Sequence, residues 1–163
     1  MASTVAQDFE QVSSRSGPAQ LRGKAEVIVG DGVATRTLRA EESGTTCLFD
    51  LAAGVVYTLP TPSIGLTFNF LTTVSDTSNS HKLITAAATQ FLLGEVLMYT
   101  TATASPAGFA FNGTTHVACT SNGSTTGGLI GSRVRVTAIS ATQWLIEGTM
   151  VGSGTIVTPA ATS

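Results

Sequence analysis

Charge is what this 163-residue chain has least of. Only 11% of its residues are Asp, Glu, Lys or Arg, against about 25% in a typical soluble domain. Its eight basic residues are scattered and the net charge is −2, so it lacks the basic footprint that displaces phosphate counterions, and nucleic-acid binding is not expected. No eighteen largely apolar residues run together, which excludes a helical membrane span and leaves no membrane partner expected. Met1 to Glu10 shows neither a basic nor an apolar leader region, so no export signal is read there. Cys47 and Cys119 are too few for a disulfide framework and match no zinc spacing; they read as two reduced, partly buried thiols. Disorder needs low hydrophobicity with high charge, and a chain that is 42% hydrophobic has neither.

What fills the chain instead is small. Its 27 Thr, 16 Ser, 17 Gly and 20 Ala make up about half of it. That composition argues against a helix bundle, and abundant Thr suits a pleated, half-buried surface. From residue 25 the apolar residues recur with period two. Cys47, Phe49 and Leu51 share a face, as do Val55, Tyr57 and Leu59 before Pro60 and Pro62 end the run. In the stretch from Leu66 to Val74, Leu66, Phe68, Phe70 and Val74 point one way and Thr67, Asn69 and Thr73 the other. Further strands are expected near 81–86, 91–100, 107–111 and 115–120. A hairpin over 132–149 should turn Val134, Val136, Trp144 and Ile146 inward and leave Arg133, Arg135 and Glu147 outside. About ten short strands at 8–12-residue spacing predict an all-β fold, an antiparallel β-sandwich of jelly-roll type, with a small barrel as the alternative. With no fixed internal period, a solenoid or propeller is disfavoured. Residues 1–24 read as an extended arm broken at Gly17-Pro18, 25–150 as the sandwich and 151–163 as an extended tail.

No constellation for chemistry stands out, so neither an enzyme nor a cofactor is expected. His81 and His116 lack further ligands at metal spacing, and Cys119 lies three residues from His116, on the opposite face of a strand. Gly127 to Gly131 is not followed by the Lys-Ser/Thr of a phosphate loop, and no Gly-x-Ser-x-Gly elbow occurs. Glu41 and Glu42 are adjacent and diverge. Asn112-Gly-Thr114 and Asn122-Gly-Ser124 read as turns rather than glycosylation sites. Trp144, Tyr57 and Tyr99 could line a sugar site, but aromatics at inward strand positions are more often core.

The charges are also unevenly placed. Twelve of the 18 lie in residues 1–50, leaving Asp76, Lys82, Glu95, Arg133, Arg135 and Glu147 for the rest. A body so poor in charge either covers itself with hydroxyls or buries its surface against other subunits. The run Thr35 to Pro60 (TRTLRAEESGTTCLFDLAAGVVYTLP), followed by Gly65-Leu-Thr-Phe-Asn-Phe70, resembles a pattern found in tailed-bacteriophage particle proteins. The segment Val134 to Gly148, with its Trp and following Gly, is similar to the hairpin on which such proteins often close. The resemblance implies a virion structural protein, most like a capsid decoration (cement) protein. Such a protein is β-rich, often homotrimeric, and sits on the capsid exterior where major capsid protein subunits meet, after assembly in the host cytoplasm. It supplies no catalytic residues. On that reading the N-terminal third docks on the shell, with Phe9, Val12, Arg15, Arg22, Lys24, Arg36 and Arg39 as candidates. The alternatives are a head-fibre or tail-fibre module that recognises host glycans through loops such as 121–128, and a non-viral lectin.

Overall fold

The computed structural model describes residues 28–101 and 105–163. The arm at residues 1–24, with the docking candidates Phe9, Val12, Arg15, Arg22 and Lys24, lies outside the described residues. The described chain is essentially all-β: twelve strands and a single 3-10 turn at Ala40–Glu42. No helix among the described residues is long and apolar enough to cross a membrane.

The first six strands wind as coils. β1 (Ile28–Val29), β3 (Thr46–Phe49) and β5 (Thr67–Thr72) lie side by side and parallel in a seven-stranded sheet. Between them β2 (Thr35–Thr37), β4 (Val56–Thr58) and β6 (His81–Ile84) lie parallel in a five-stranded sheet. Each coil therefore lays one strand on each sheet and returns beside its starting point. The expectation against a solenoid fails for this half of the chain. Its repeat is irregular: Ile28 pairs with Thr46 and Thr46 with Asn69, whereas Thr35 pairs with Val56 and Val56 with Lys82. Coils of unequal length leave no fixed period to find.

The second half is built from hairpins and one long parallel pair. β10 (Arg133–Ala138) runs antiparallel to both β5 and β11 (Gln143–Gly152). β11 pairs in parallel with β7 (Phe91–Thr100) over all ten residues, and β8 (Ala107–Asn112) folds back antiparallel on β7. In the smaller sheet β9 (Ala118–Ser121) is antiparallel to β6, and β12 (Ala160–Ala161) to β9. Both sheets are thus mixed, with five of ten pairings parallel. This corrects the wholly antiparallel, jelly-roll-like arrangement. A strand reached by crossing the opposite sheet enters from the same end as its neighbour, as in the first six strands, whereas the hairpins β7–β8 and β10–β11 and the longer returns to β9, β10 and β12 reverse it.

The inward faces of the two sheets meet in one core. Phe49 and Phe70 of the larger sheet pack on Tyr57 of the smaller, with ring centroids 5.4 and 5.5 Å apart. Tyr57 also donates its hydroxyl to the Leu48 carbonyl at 2.8 Å, which ties the layers together. Val134, Val136, Trp144 and Ile146 are buried, as their alternation requires. The chain after β11 does not hang free: β12 pairs with β9, and Val157 donates its amide to the Thr125 carbonyl.

Gly94 sets how closely β7 and β11 approach. It pairs with Ile146 at φ +132°, and a Cβ there would lie 2.1 Å from the Ile146 carbonyl oxygen. Backbone cannot yield as a flexible side-chain tip can. Gly94→Ala combines an unfavourable φ with overpacking, and is expected to destabilise the fold by about 2–4 kcal/mol. Urea denaturation of the variant checks this.

Candidate functional site

The outer face of the seven-stranded sheet gathers most of the charge of the C-terminal two thirds. Alternation turns every second residue outward, and register aligns these residues across strands. One transverse row runs Thr46, Asn69, Arg135, Glu147, Glu95 and Ala110 over β3, β5, β10, β11, β7 and β8. The next runs Leu48, Leu71, Arg133, Thr149, Leu97 and Gly108. Beyond it Tyr99 stands opposite Val151. The first row is polar and charged. The second is mostly apolar, and Leu97, Tyr99 and the nearby loop residue Ile130 are exposed. A shallow groove of about 470 Å³ crosses both rows, lined by Asn69, Leu71, Arg133, Arg135, Glu147 and Thr149.

The charges on this face are only loosely committed to one another. Arg135 and Glu147 are 3.9 Å apart and each more than half exposed, a pair worth roughly 0–1 kcal/mol. Glu147 also stands directly beside Glu95, a like-charge neighbour that is unfavourable in isolation. Arg133 makes no ion pair among the described residues. The face therefore carries both signs of charge without the internal pairing that would neutralise them. Its chemistry is that of a contact surface.

Arg36 and Arg39 are elsewhere. Arg36 belongs to β2 of the smaller sheet and is held by Asp31 at 2.6 Å and Glu42 at 2.7 Å. Burial pushes the Glu42 carboxyl up, but the bonds from the Arg36 side chain and the Arg39 amide outweigh it and hold the carboxyl below its ordinary value. Arg36 thus pins the 3-10 turn to β2, and it is committed within the chain. Arg39 is exposed at the start of that turn. Neither shares a sheet with Arg133 and Arg135.

Comparison with protein families, curated proteins and solved structures finds no match to this chain. The remaining candidates are judged on their geometry. Both Asn-Gly motifs are organised turns. The Asn112 Oδ1 accepts the amides of Thr114, Thr115 and His116, and Asn122 Oδ1 those of Ser124 and Thr126, with Gly123 at φ +67°. Trp144 and Tyr57 are core; Tyr99 is exposed on the outer face. Cys47 and Cys119 are free and buried, and burial pushes both thiols up to about 12, which keeps them un-ionised and weakly nucleophilic. His116 accepts the Asn112 amide on Nδ1. Among the described residues no three His, Cys, Asp or Glu side chains gather as metal ligands.

One buried acid was not singled out by sequence pattern. Asp76 and His81 are both buried, with Oδ1 and Nε2 4.0 Å apart. The His81 Nδ1 accepts the Val55 amide, so the ring proton sits on Nε2 and is donated to the Val74 carbonyl at 2.9 Å. Both carboxyl oxygens of Asp76 lack a hydrogen-bond donor. Gly128 packs so closely that a Cβ there would lie 2.8 Å from Oδ1. Burial pushes the Asp76 carboxyl above its ordinary value of 3.8, opposed only in part by the His81 ring and the nearby amides. The folded state then holds this proton more tightly than the unfolded state, so its contribution to stability is fully present below 3.8 and falls as pH rises through the raised value. Asp76→Asn should flatten that slope and raise stability above the transition by about 1–3 kcal/mol. Denaturant midpoints measured across pH test this; an unchanged slope would refute it.

Proposed function

We propose that this chain is a bacteriophage capsid decoration (cement) protein, which binds the outside of the head and bridges major capsid protein subunits. The observation that carries the reading is the outer face of the seven-stranded sheet, where Arg133, Arg135, Glu95 and Glu147 form a mixed-charge centre beside exposed Leu97 and Tyr99. A stable protein–protein interface buries about 1,200–2,000 Å² in total, with an apolar core and polar groups that set register. A sheet face several strands wide, with exposed Leu97 and Tyr99 beside its charged centre, supplies that kind of area. The resemblance of residues 35–70 and 134–148 to tailed-phage particle proteins supports the viral assignment. In this reading the arm at residues 1–24 grasps the shell and the sheet face lies against a neighbouring subunit.

Two measurements test the reading. Purified protein added to heads that lack it should bind and raise their resistance to heat. Arg133→Glu with Arg135→Glu should weaken that binding by about tenfold or more while circular dichroism stays unchanged, because exposed charge reversal acts on the contact and not on the core. Removal of residues 1–24 should abolish binding. The competing reading, a fibre module for host glycans, is favoured by exposed Tyr99 beside the groove. Binding on a glycan array together with failure to bind heads would replace the first reading with the second.

A further inference from the structure

The four lateral edges of the two sheets are unequal. β1 and β12 have two residues each and β2 has three, the last with Arg36 at its centre. Short or charged edges resist pairing with other chains. β8, the remaining edge, has six residues, AGFAFN, with no charge and no proline. Among the described residues no strand pairs with its outer side.

The backbone groups on that side can be assigned. The Gly113 amide donates to the Leu92 carbonyl, whereas the Asn112 amide turns away from β7 to the His116 Nδ1. Alternate residues of an antiparallel strand point their N–H and C=O to opposite sides. Gly108 and Ala110 therefore direct theirs away from β7. Both are exposed, and nothing lies within 4 Å of where a Cβ on Gly108 would sit.

We infer that β8 pairs antiparallel with β8 of a second copy of this chain, centred on Phe109. In this register Gly108 of each copy faces Ala110 of the other and the two pairs exchange four backbone hydrogen bonds. A register shifted toward Asn112 would need an amide that His116 already holds. The same centring sets Phe109 opposite Phe109 in a closely spaced pair, a favourable cross-strand contact. The outward side chains at the seam are only Gly108 and Ala110. The charge registered beside the edge, Glu95, sits one strand inward; three strand spacings and a two-residue offset put the two copies' Glu95 residues about 16 Å apart, beyond the screening length at physiological salt. The pairing does not depend on what the outer face binds. It makes that face continuous across two copies.

Sedimentation of the full chain tests it. Wild-type protein is expected at twice 16.6 kDa at micromolar concentration, with the Gly108 and Ala110 amides protected from hydrogen exchange. Ala110→Pro removes an amide that β7 does not use, and Ala110→Lys places a charge on the seam. Each should halve the mass while circular dichroism is retained; if the proline variant unfolds, the lysine variant decides. A monomeric wild type, a foreign strand bound to a monomer, or an assembly of any size untouched by both substitutions would overturn the pairing. A trimer indifferent to them would do so without touching the capsid reading. Failure to bind heads by an intact β8 dimer would overturn that reading alone.

Discussion

The contact of Phe49 and Phe70 with Tyr57 and His81 is where the two sheets become one domain. Phe49 lies 5.4 Å from Tyr57 and 4.7 Å from His81, ring centre to centre, so two residues of one layer interlock with two of the other. Burying each large ring is worth about 1.5–3 kcal/mol, far more than any exposed ion pair in the molecule. Once these side chains point inward, period-two alternation decides the fate of every other strand residue. Thr67, Asn69, Arg133, Arg135 and Glu147 go outward because Phe68, Phe70, Val134 and Val136 and their neighbours go inward.

The outer face inherits its order from that core. Ten residues of unbroken parallel register between β7 and β11, held close at Gly94, bring Glu95 beside Glu147 and Leu97 beside Thr149. The hairpin with β10 adds Arg135 and Arg133 on the other side. An array of mixed charge next to exposed apolar groups, fixed in order by strand register, suits recognition of another protein surface. The buried Cys47 and Cys119 face the interior and burial keeps both thiols un-ionised. Low charge elsewhere has the same consequence, since surface carrying few ions is cheap to dry on association.

Much of the strand pattern was legible in the chain because the relevant forces are local. The expected strands at 81–86, 91–100 and 107–111 coincide with β6, β7 and β8, and the 132–149 hairpin with β10 and β11. The inward set of Val134, Val136, Trp144 and Ile146 followed from spacing alone. β12 was not expected: two alanines carry no strand signal, and only the open side of β9 recruits them. The ion pairs of Arg36 with Asp31 and Glu42 were not legible in the sequence, because they depend on how the 3-10 turn folds back.

Sequence by itself determined that this is an all-β protein, which apolar strand residues face its interior, and that its C-terminal two thirds are poor in charge. These follow from side-chain alternation and composition, which any short window of the chain displays. Tertiary structure alone decided that the first half winds as parallel coils and that Asn69, Arg135, Glu147 and Glu95 stand in one row. It also decided that, among the described residues, β8 is the longest edge strand and hydrogen-bonds to no strand on its outer side. Such features rest on register between strands far apart in the chain, set by how the two inner faces pack, and no local pattern encodes them.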